Sequence, residues 1–214
     1  MPLVIGIAGG TGSGKSTIAH NIKAAMAIDE TVAIVEMDAY YKDHSHLNDI
    51  EREALNYDHP DAIDFELFAG QLRTLIGGNA IDKPIYDFVR HGRRKDFDRI
   101  EPADIIIVEG ILTFHRKEIR DLLDIKLFID TDPDIRAFRR IRRDIEVRGR
   151  KFEQIRKQYY DSVKPMHAQF VEPSKKWADL VLPEGGENVV AVDMIVSKIK
   201  RWIVEHRMVR NAVG

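Results

Sequence analysis

Nine consecutive residues, Gly9-Gly10-Thr11-Gly12-Ser13-Gly14-Lys15-Ser16-Thr17, fit the pattern G-x-x-x-x-G-K-S between a short apolar run and a stretch of helical period. Glycines there let the backbone curl so that successive N–H groups point at an anion, and the helix start adds positive dipole. Lys15 is placed to reach the β- and γ-phosphates of a nucleoside triphosphate, and Ser16 to ligate Mg²⁺. A turn that only joins strand to helix needs neither the lysine nor the hydroxyl. The spacing therefore predicts a triphosphate cradle over the whole run.

Two carboxylates are expected beside it. Asp104-Ile-Ile-Ile-Val-Glu109-Gly110 ends an apolar run on Glu109, and Val35-Glu36-Met37-Asp38 delivers Asp38 in the same way. Ligands of open α/β sheets bind at the carboxyl edge of the strands. Glu109 reads as a metal ligand, direct or through water, against a solvated acid that ends a strand. Asp38 reads as the group that receives a proton from an acceptor hydroxyl, against a turn former at a strand end.

Arginines are dense in one place: Arg136, Arg139, Arg140, Arg142, Arg143, Arg148 and Arg150, relieved nearby by Asp134, Asp144 and Glu146. On a helix Arg136, Arg140 and Arg143 share a face, so they could close over triphosphate oxygens as a mobile lid, with Gly149 as the hinge. Arg139 and Arg142 fall off that face and read as solvated. A nucleic-acid surface would need more aromatic stacking than Phe138 supplies. The eight histidines show no zinc spacing; His20, His44, His46, His115, His167 and His206 read as solvated or bland.

The elements that must position these groups follow from periodicity. Leu3 to Ala8, Thr31 to Met37, Ile105 to Val108, Ile125 to Ile129 and Leu180 to Leu182 are nearly continuous apolar runs, as strands buried on both faces are. Helical spacing joins Ile18, Ile22, Ala25 and Met26, and again Phe68, Leu72, Leu75 and Ile76 before Gly77 and Gly78. A third helix should start at Asp132-Pro133 and reach about Val147; a fourth follows Asn188, with Val192, Ile195, Val196, Ile199, Trp202 and Ile203 inward. Ala80 to Arg99 breaks the alternation and reads as a projecting β-hairpin, with Pro84 on an edge. The fold class is thus α/β: a five-stranded parallel sheet with helices on both faces, a hairpin insertion (about 80–99) and an arginine-rich lid (about 134–152), in a single domain.

Length and charge agree. A chain of 214 residues, 44% apolar, can bury one core, and 33 basic against 35 acidic side chains leave no global field for nucleic acid or an anionic membrane. Cysteine is absent, which removes disulfides, thiolate metal sites and cysteine nucleophiles. No leader or membrane-length apolar run is read, so a soluble cytoplasmic protein is expected.

Taken in order, Gly-Thr-Gly-Ser-Gly-Lys-Ser, Asp38-Ala-Tyr-Tyr-Lys-Asp, Asn56-Tyr-Asp-His-Pro-Asp61, Pro84-Ile-Tyr-Asp-Phe-Val-Arg-His91, Glu109-Gly-Ile, Arg140-Ile-Arg-Arg-Asp-Ile-Glu-Val-Arg-Gly-Arg150, Val163-Lys-Pro-Met166 and Glu172-Pro-Ser-Lys-Lys176 resemble the uridine-cytidine kinase family across nearly the whole chain. The resemblance implies transfer of a phosphoryl group from ATP or GTP to the ribose 5′-hydroxyl of uridine or cytidine, in pyrimidine salvage. It implies that Asp38 is the catalytic base, with Lys15 at the reacting phosphates. Asp58 and Arg148 would hold the ribose hydroxyls, Tyr86 and His91 would read the pyrimidine, and Arg150 and Gln158 would complete the nucleoside site. Arg140, Arg143 and Glu187 join the triphosphate side. Read without the resemblance, Tyr86 is hairpin packing, His91 a turn residue and Asp58 a loop acid.

Glu184 stands where close relatives carry arginine near the donor base, a departure that bears on donor choice. The resemblance also implies a tetramer inhibited by pyrimidine triphosphates. A phosphoribulokinase-type kinase would need extra cations for a phosphorylated acceptor, and the Tyr86–His91 hairpin speaks against it. A non-catalytic nucleotide switch is the remaining alternative; no Asn-Lys-x-Asp motif supports it, and Lys15, Ser16, Asp38 and Glu109 are all present.

Overall fold

The computed structural model describes every residue except 27–28, 49–50, 53–54, 185–187 and 214, and only the backbone at 206–213. Its strands are β1 (Leu3–Gly9), β2 (Val32–Glu36), β3 (Ile81–Asp87), β4 (Gly92–Ile100), β5 (Ile105–Glu109), β6 (Ile125–Asp130) and β7 (Leu180–Pro183). The five expected apolar runs form one sheet in the order β2-β5-β1-β6-β7, parallel throughout, and β3 with β4 forms a separate antiparallel pair.

Continuous apolar runs are explained by the two layers they face. Val4, Ala8, Ile106, Val108 and Phe128 point to one side, under Phe68, Leu72 and Leu75 of a helix spanning Phe65–Ile76. Leu3, Ile5, Ile7, Ile105, Ile107, Leu127 and Ile129 point to the other, against Ile18, Ile22 and Met26 of the helix after the phosphate loop and Ile195 and Ile199 of the C-terminal helix. Burying each such side chain stabilises by about 1.5–3 kcal/mol, so both faces must stay apolar.

The longer helices are α1 (Lys15–Met26), α2 (Phe65–Ile76), α3 (Pro133–Glu146), α4 (Phe152–Gln158) and α5 (Val189–Val213). Details differ from the sequence reading. In α1 Ala19 is buried, whereas Ala25 faces solvent. At the end of α2 it is Gly78, at φ 84°, and not Gly77 that takes the left-handed conformation. Asp132 precedes α3 as expected, yet its side chain makes no capping bond; Pro133 sets the first turn instead. Along 159–177 the chain continues through π-helical turns at Tyr159–Val163 and His167–Val171 and a 3₁₀ stretch at Glu172–Trp177, none of which the periodicity foretold.

Helix α3 is inverted. Its buried side chains are Arg136, Arg140 and Asp144, while Ile135, Phe138 and Ile145 are exposed. A buried charged stripe is stable only where the charges are paired, so this helix exists for its polar face.

The hairpin projects beside β2 and is tied to it. Pro84 pairs opposite Phe97, next to a register shift between Pro84 and Tyr86. Lys83 bonds Glu36 at the end of β2 and reaches Asp98 at 3.2 Å, while Gln71 Nε2 of α2 donates to the Asp82 carbonyl at 2.9 Å. No described helix is long and apolar enough to cross a membrane.

Candidate active site

The phosphate loop joins β1 to α1 as expected. Gly9, Gly12 and Gly14 have φ of 144°, 75° and 97°, a region that glycine enters at little cost and side-chain-bearing residues enter rarely. A Cβ on Gly10 would lie 2.3 Å from Arg136 Nη1, so helix α3 presses directly on the loop. Thr131 Oγ1 donates to the Ser13 carbonyl at 3.0 Å and fixes the loop from behind β6, a contact that nothing in the motif announces. Lys15 is buried and donates to the Gly10 carbonyl at 3.0 Å. Burial pulls its ammonium below the ordinary lysine range, opposed by Glu109 and Asp38.

Both predicted carboxylates arrive beside this lysine. Glu36 and Glu109 lie in register at the ends of β2 and β5, and Asp38 follows in the short turn Met37–Tyr40. Ser16 Oγ donates to Glu109 Oε1 at 2.6 Å. Burial pushes the Glu109 carboxyl up, Lys15 draws it down, and Asp38 adds repulsion. A hydroxyl and a buried carboxylate in contact, with a second acid close by, suit a hard cation. Among the described residues no three His, Cys, Asp or Glu side chains form a complete cage. That matches Mg²⁺, which takes one or two protein oxygens and completes its shell with phosphates and water.

A cavity lies across Asp38 from the loop, lined by Thr11, Asp38, Asp58, Tyr86, His91, Arg140, Arg143, Arg148, Arg150 and Gln158, so every nucleoside-site residue expected from the resemblance meets there. Tyr41, Tyr57 and Phe88 join them. The Tyr57 ring stacks on His91 at 4.8 Å, and Tyr86 sits 5.1 Å from Tyr41 and 5.3 Å from Phe88. Sequence reading missed these three aromatics, although Tyr41 and Tyr57 sit next to or near singled-out acids. Burial raises the Asp58 carboxyl, opposed first by Arg140. A wider cleft of about 530 Å³ adjoins, with Ser16, Glu36, Glu109, Lys83 and Asp98 on its wall.

The arginines are not equivalent. Arg140 Nη1 donates to Thr11 Oγ1 at 3.1 Å and its Nη2 to Gln158 Oε1 at 2.8 Å; Arg150 Nη1 reaches the same oxygen at 2.8 Å, and its Nη2 meets His91 Nε2 at 3.2 Å. The Arg148 guanidinium lies 4.4 Å over the Phe88 ring, and burial lowers its pKa to about 10. Arg136, expected on the closing face, instead donates to the Thr131 carbonyl at 2.9 Å and contacts His167 at 3.2 Å. It is a wall of the loop. His167 is correspondingly no solvated histidine: it is mostly buried between Arg136 and Glu172, and burial with Arg136 holds its pKa near 4. Burial and then Arg150 hold His91 at about 4, so the ring is neutral at pH 7, and its Nε2 accepts from Arg150, which can only donate.

Glu184 is exposed in a left-handed turn, φ 63°, after β7, with no cation of its own to offer a donor base. Glu187 and the side chain of His206 lie outside the described residues.

Residues 4–191 match the Phosphoribulokinase / Uridine kinase family. The chain is 53% identical over 206 residues to the uridine kinase of Clostridium novyi (strain NT), covering 96% of this chain and 99% of that protein. It is 52% identical over 202 residues to the uridine kinase of Clostridium tetani (strain Massachusetts / E88), covering 94% and 96%. Phosphoribulokinase from Rhodobacter spheroides shares the fold, with a TM-score of 0.66 at 14% identity over 85% of this chain and 70% of that one. A nucleotide-type loop, a metal-suited pair of oxygens and a match along nearly the full sequence meet in one place: the chain belongs to the phosphoribulokinase / uridine kinase family.

Proposed function

We propose that the protein phosphorylates uridine and cytidine at the ribose 5′-hydroxyl, with ATP or GTP and Mg²⁺, yielding UMP and CMP for pyrimidine salvage. The observation that carries the reading is the aromatic-lined, arginine-rimmed cavity that opens at Asp38 beside Thr11 of the phosphate loop. A flat base fits tyrosines and an imidazole; a ribose fits a buried carboxylate. A sugar phosphate has no flat ring to set against this aromatic wall.

The 5′-oxygen forms a bond to the γ-phosphorus as the bond to the β,γ-bridging oxygen breaks, and its proton passes to Asp38. Lys15, Arg140 and Arg143 neutralise the moving phosphoryl oxygens. Ser16 and Glu109 would hold Mg²⁺, which would supply positive charge at the phosphates. Asp58 and Arg148 orient the ribose, and Tyr86, His91, Arg150 and Gln158 hold the base. The open space within the acceptor cavity is only about 50 Å³, far below the roughly 300–1,000 Å³ of small-ligand sites. Entry of a nucleoside therefore requires the cavity to widen, and we read the arginine-bearing segment 134–152 as the lid of a single kinase domain that widens it. The exposed acid Glu184 favours no purine donor over another. We place the protein in the cytoplasm and, by family resemblance, in a homotetramer that light scattering in solution checks.

The test is Mg²⁺-dependent monophosphate formation from ATP and from GTP with uridine, cytidine, thymidine, adenosine and ribulose 5-phosphate. Turnover confined to uridine and cytidine is expected. Turnover of ribulose 5-phosphate alone would replace this reading, and triphosphate binding without any turnover would favour a nucleotide switch.

A further inference from the structure

Asp144 is the most deeply buried charge on helix α3, with 0% exposure, and it lines neither cavity. Four guanidinium groups surround it. Arg143 donates to Oδ1 through Nε at 3.1 Å and Nη2 at 3.0 Å, and Arg148 Nη1 lies 3.3 Å from the same oxygen. Arg140 Nε and Arg150 Nη1 lie 3.6 Å from Oδ2. The Arg150 N–H also donates to the Asp144 carbonyl at 3.0 Å, which closes the loop across Gly149 around this residue.

Each of those arginines has its other end on a different part of the site. Arg140 holds Thr11 and Gln158, Arg150 holds Gln158 and His91, Arg148 covers Phe88, and Arg143 lines both cavities. Left to themselves, four like charges in so small a volume repel and would turn outward to water. A single carboxylate among them leaves a net excess of positive charge in the cluster, beside Thr11 of the phosphate loop, while fixing where each fork points. Oδ2 and Arg140 Nε face each other without a hydrogen bond, so the cluster is held by charge more than by tight geometry on that side.

We propose that Asp144 is a positioning residue that aligns Arg140, Arg143, Arg148 and Arg150, and so organises the triphosphate side and the nucleoside side of the cleft together. The proposal rests on the kinase reading above. It gives the charged stripe of α3 its reason, since a helix face serving only packing would be apolar.

The full chain carrying Asp144→Asn is compared with the parent by active-site-titrated kcat, by KM for uridine and for ATP, and by thermal unfolding. Misplacing reacting groups by about 1 Å costs about 10²-fold, so kcat/KM should fall by roughly that factor, with both KM values rising together. Asp144→Glu keeps the charge but shifts it by one methylene and should recover about half of the loss on a logarithmic scale, a loss of roughly tenfold. Unchanged KM values with only a smaller active fraction would mark Asp144 as merely structural and overturn the proposal, as would a rise confined to one substrate. Should Asp144→Asn fail to fold, Asp144→Glu decides alone: parental kcat/KM overturns the idea. Should the parent not phosphorylate uridine at all, the kinase reading fails separately, and ATP binding by calorimetry still tests Asp144, with several-fold weakening expected and parental affinity overturning it.

Discussion

The phosphate loop occupies nine consecutive residues from the end of one strand into the start of one helix, whereas the acceptor cavity adds to Thr11 of that loop Asp38 and Tyr41, Tyr57 and Asp58, Tyr86 to His91, Ile111, and Arg140 to Gln158, from five further separated segments. The first site is made mostly of backbone N–H groups, shaped by glycines at φ 75° and 97°. The second is made of side chains, held by a hairpin, a turn and a helix that touch only in the folded chain. A backbone site has to be written contiguously. A side-chain site can be scattered, provided that other side chains align it.

Substitution should separate the two sides, with Asp38 at their junction giving the largest effect. Asp38→Asn is expected to lower kcat by roughly 10²–10⁴ while ATP affinity, read by calorimetry, stays near parental. Equal turnover in that variant would remove Asp38 from the chemistry and leave the two sites without a shared group.

Tyr57→Ala acts on one side only. Loss of a stacking partner costs about 1–3 kcal/mol per base, so KM for uridine should rise by about 5- to 150-fold with KM for ATP unchanged. Should both values rise, the aromatic wall and the phosphate loop are one mechanical unit and the comparison breaks.

The smallest effect concerns protons. His91 titrates near 4 in the folded protein against about 6.5 in an unfolded chain, because it is buried beside Arg150 and Arg148. A depressed folded value means that its contribution to stability is complete above about pH 6.5 and is lost as pH falls toward 4. The His91 imidazole signals, followed by NMR, should hold still from about pH 8 to 5 and move near pH 4. Movement already at about pH 6 would place the imidazole in a far more open setting than the stacked position beside Tyr57.

These differences explain what the sequence disclosed. The five strands were legible because each is buried on both faces and so is apolar without interruption, and the loop because glycine, lysine and hydroxyl stand in fixed order. Asp38 and Glu109 were legible as strand-end acids, their roles left open by position alone. Asp58, Tyr86, His91 and Gln158 carried no local signal and were found only through resemblance, whereas Arg150 stood out in the arginine cluster and took only its nucleoside-site role from the resemblance. Tyr57 and Tyr41 were missed because an aromatic in a loop reads as packing until the stacked His91 is seen. The helical path from 159 to 177 escaped because π turns, Pro165 and Pro173 spoil a 3.6-residue period. Arg136 was assigned to the lid by face alone, and face says nothing of the Thr131 carbonyl that holds it.

The position of β1 in the sheet has a consequence for how the protein is made. The strand leaves the ribosome before either of its two neighbours, residues 105–109 and 125–130. At about 5–20 residues per second, the loop that follows it waits on the order of 10 s for the partners that hold its base in place. During that interval Leu3, Ile5 and Ile7 have no sheet to enter, so the segment that defines the nucleotide site is also the one that a nascent chain must keep from pairing wrongly.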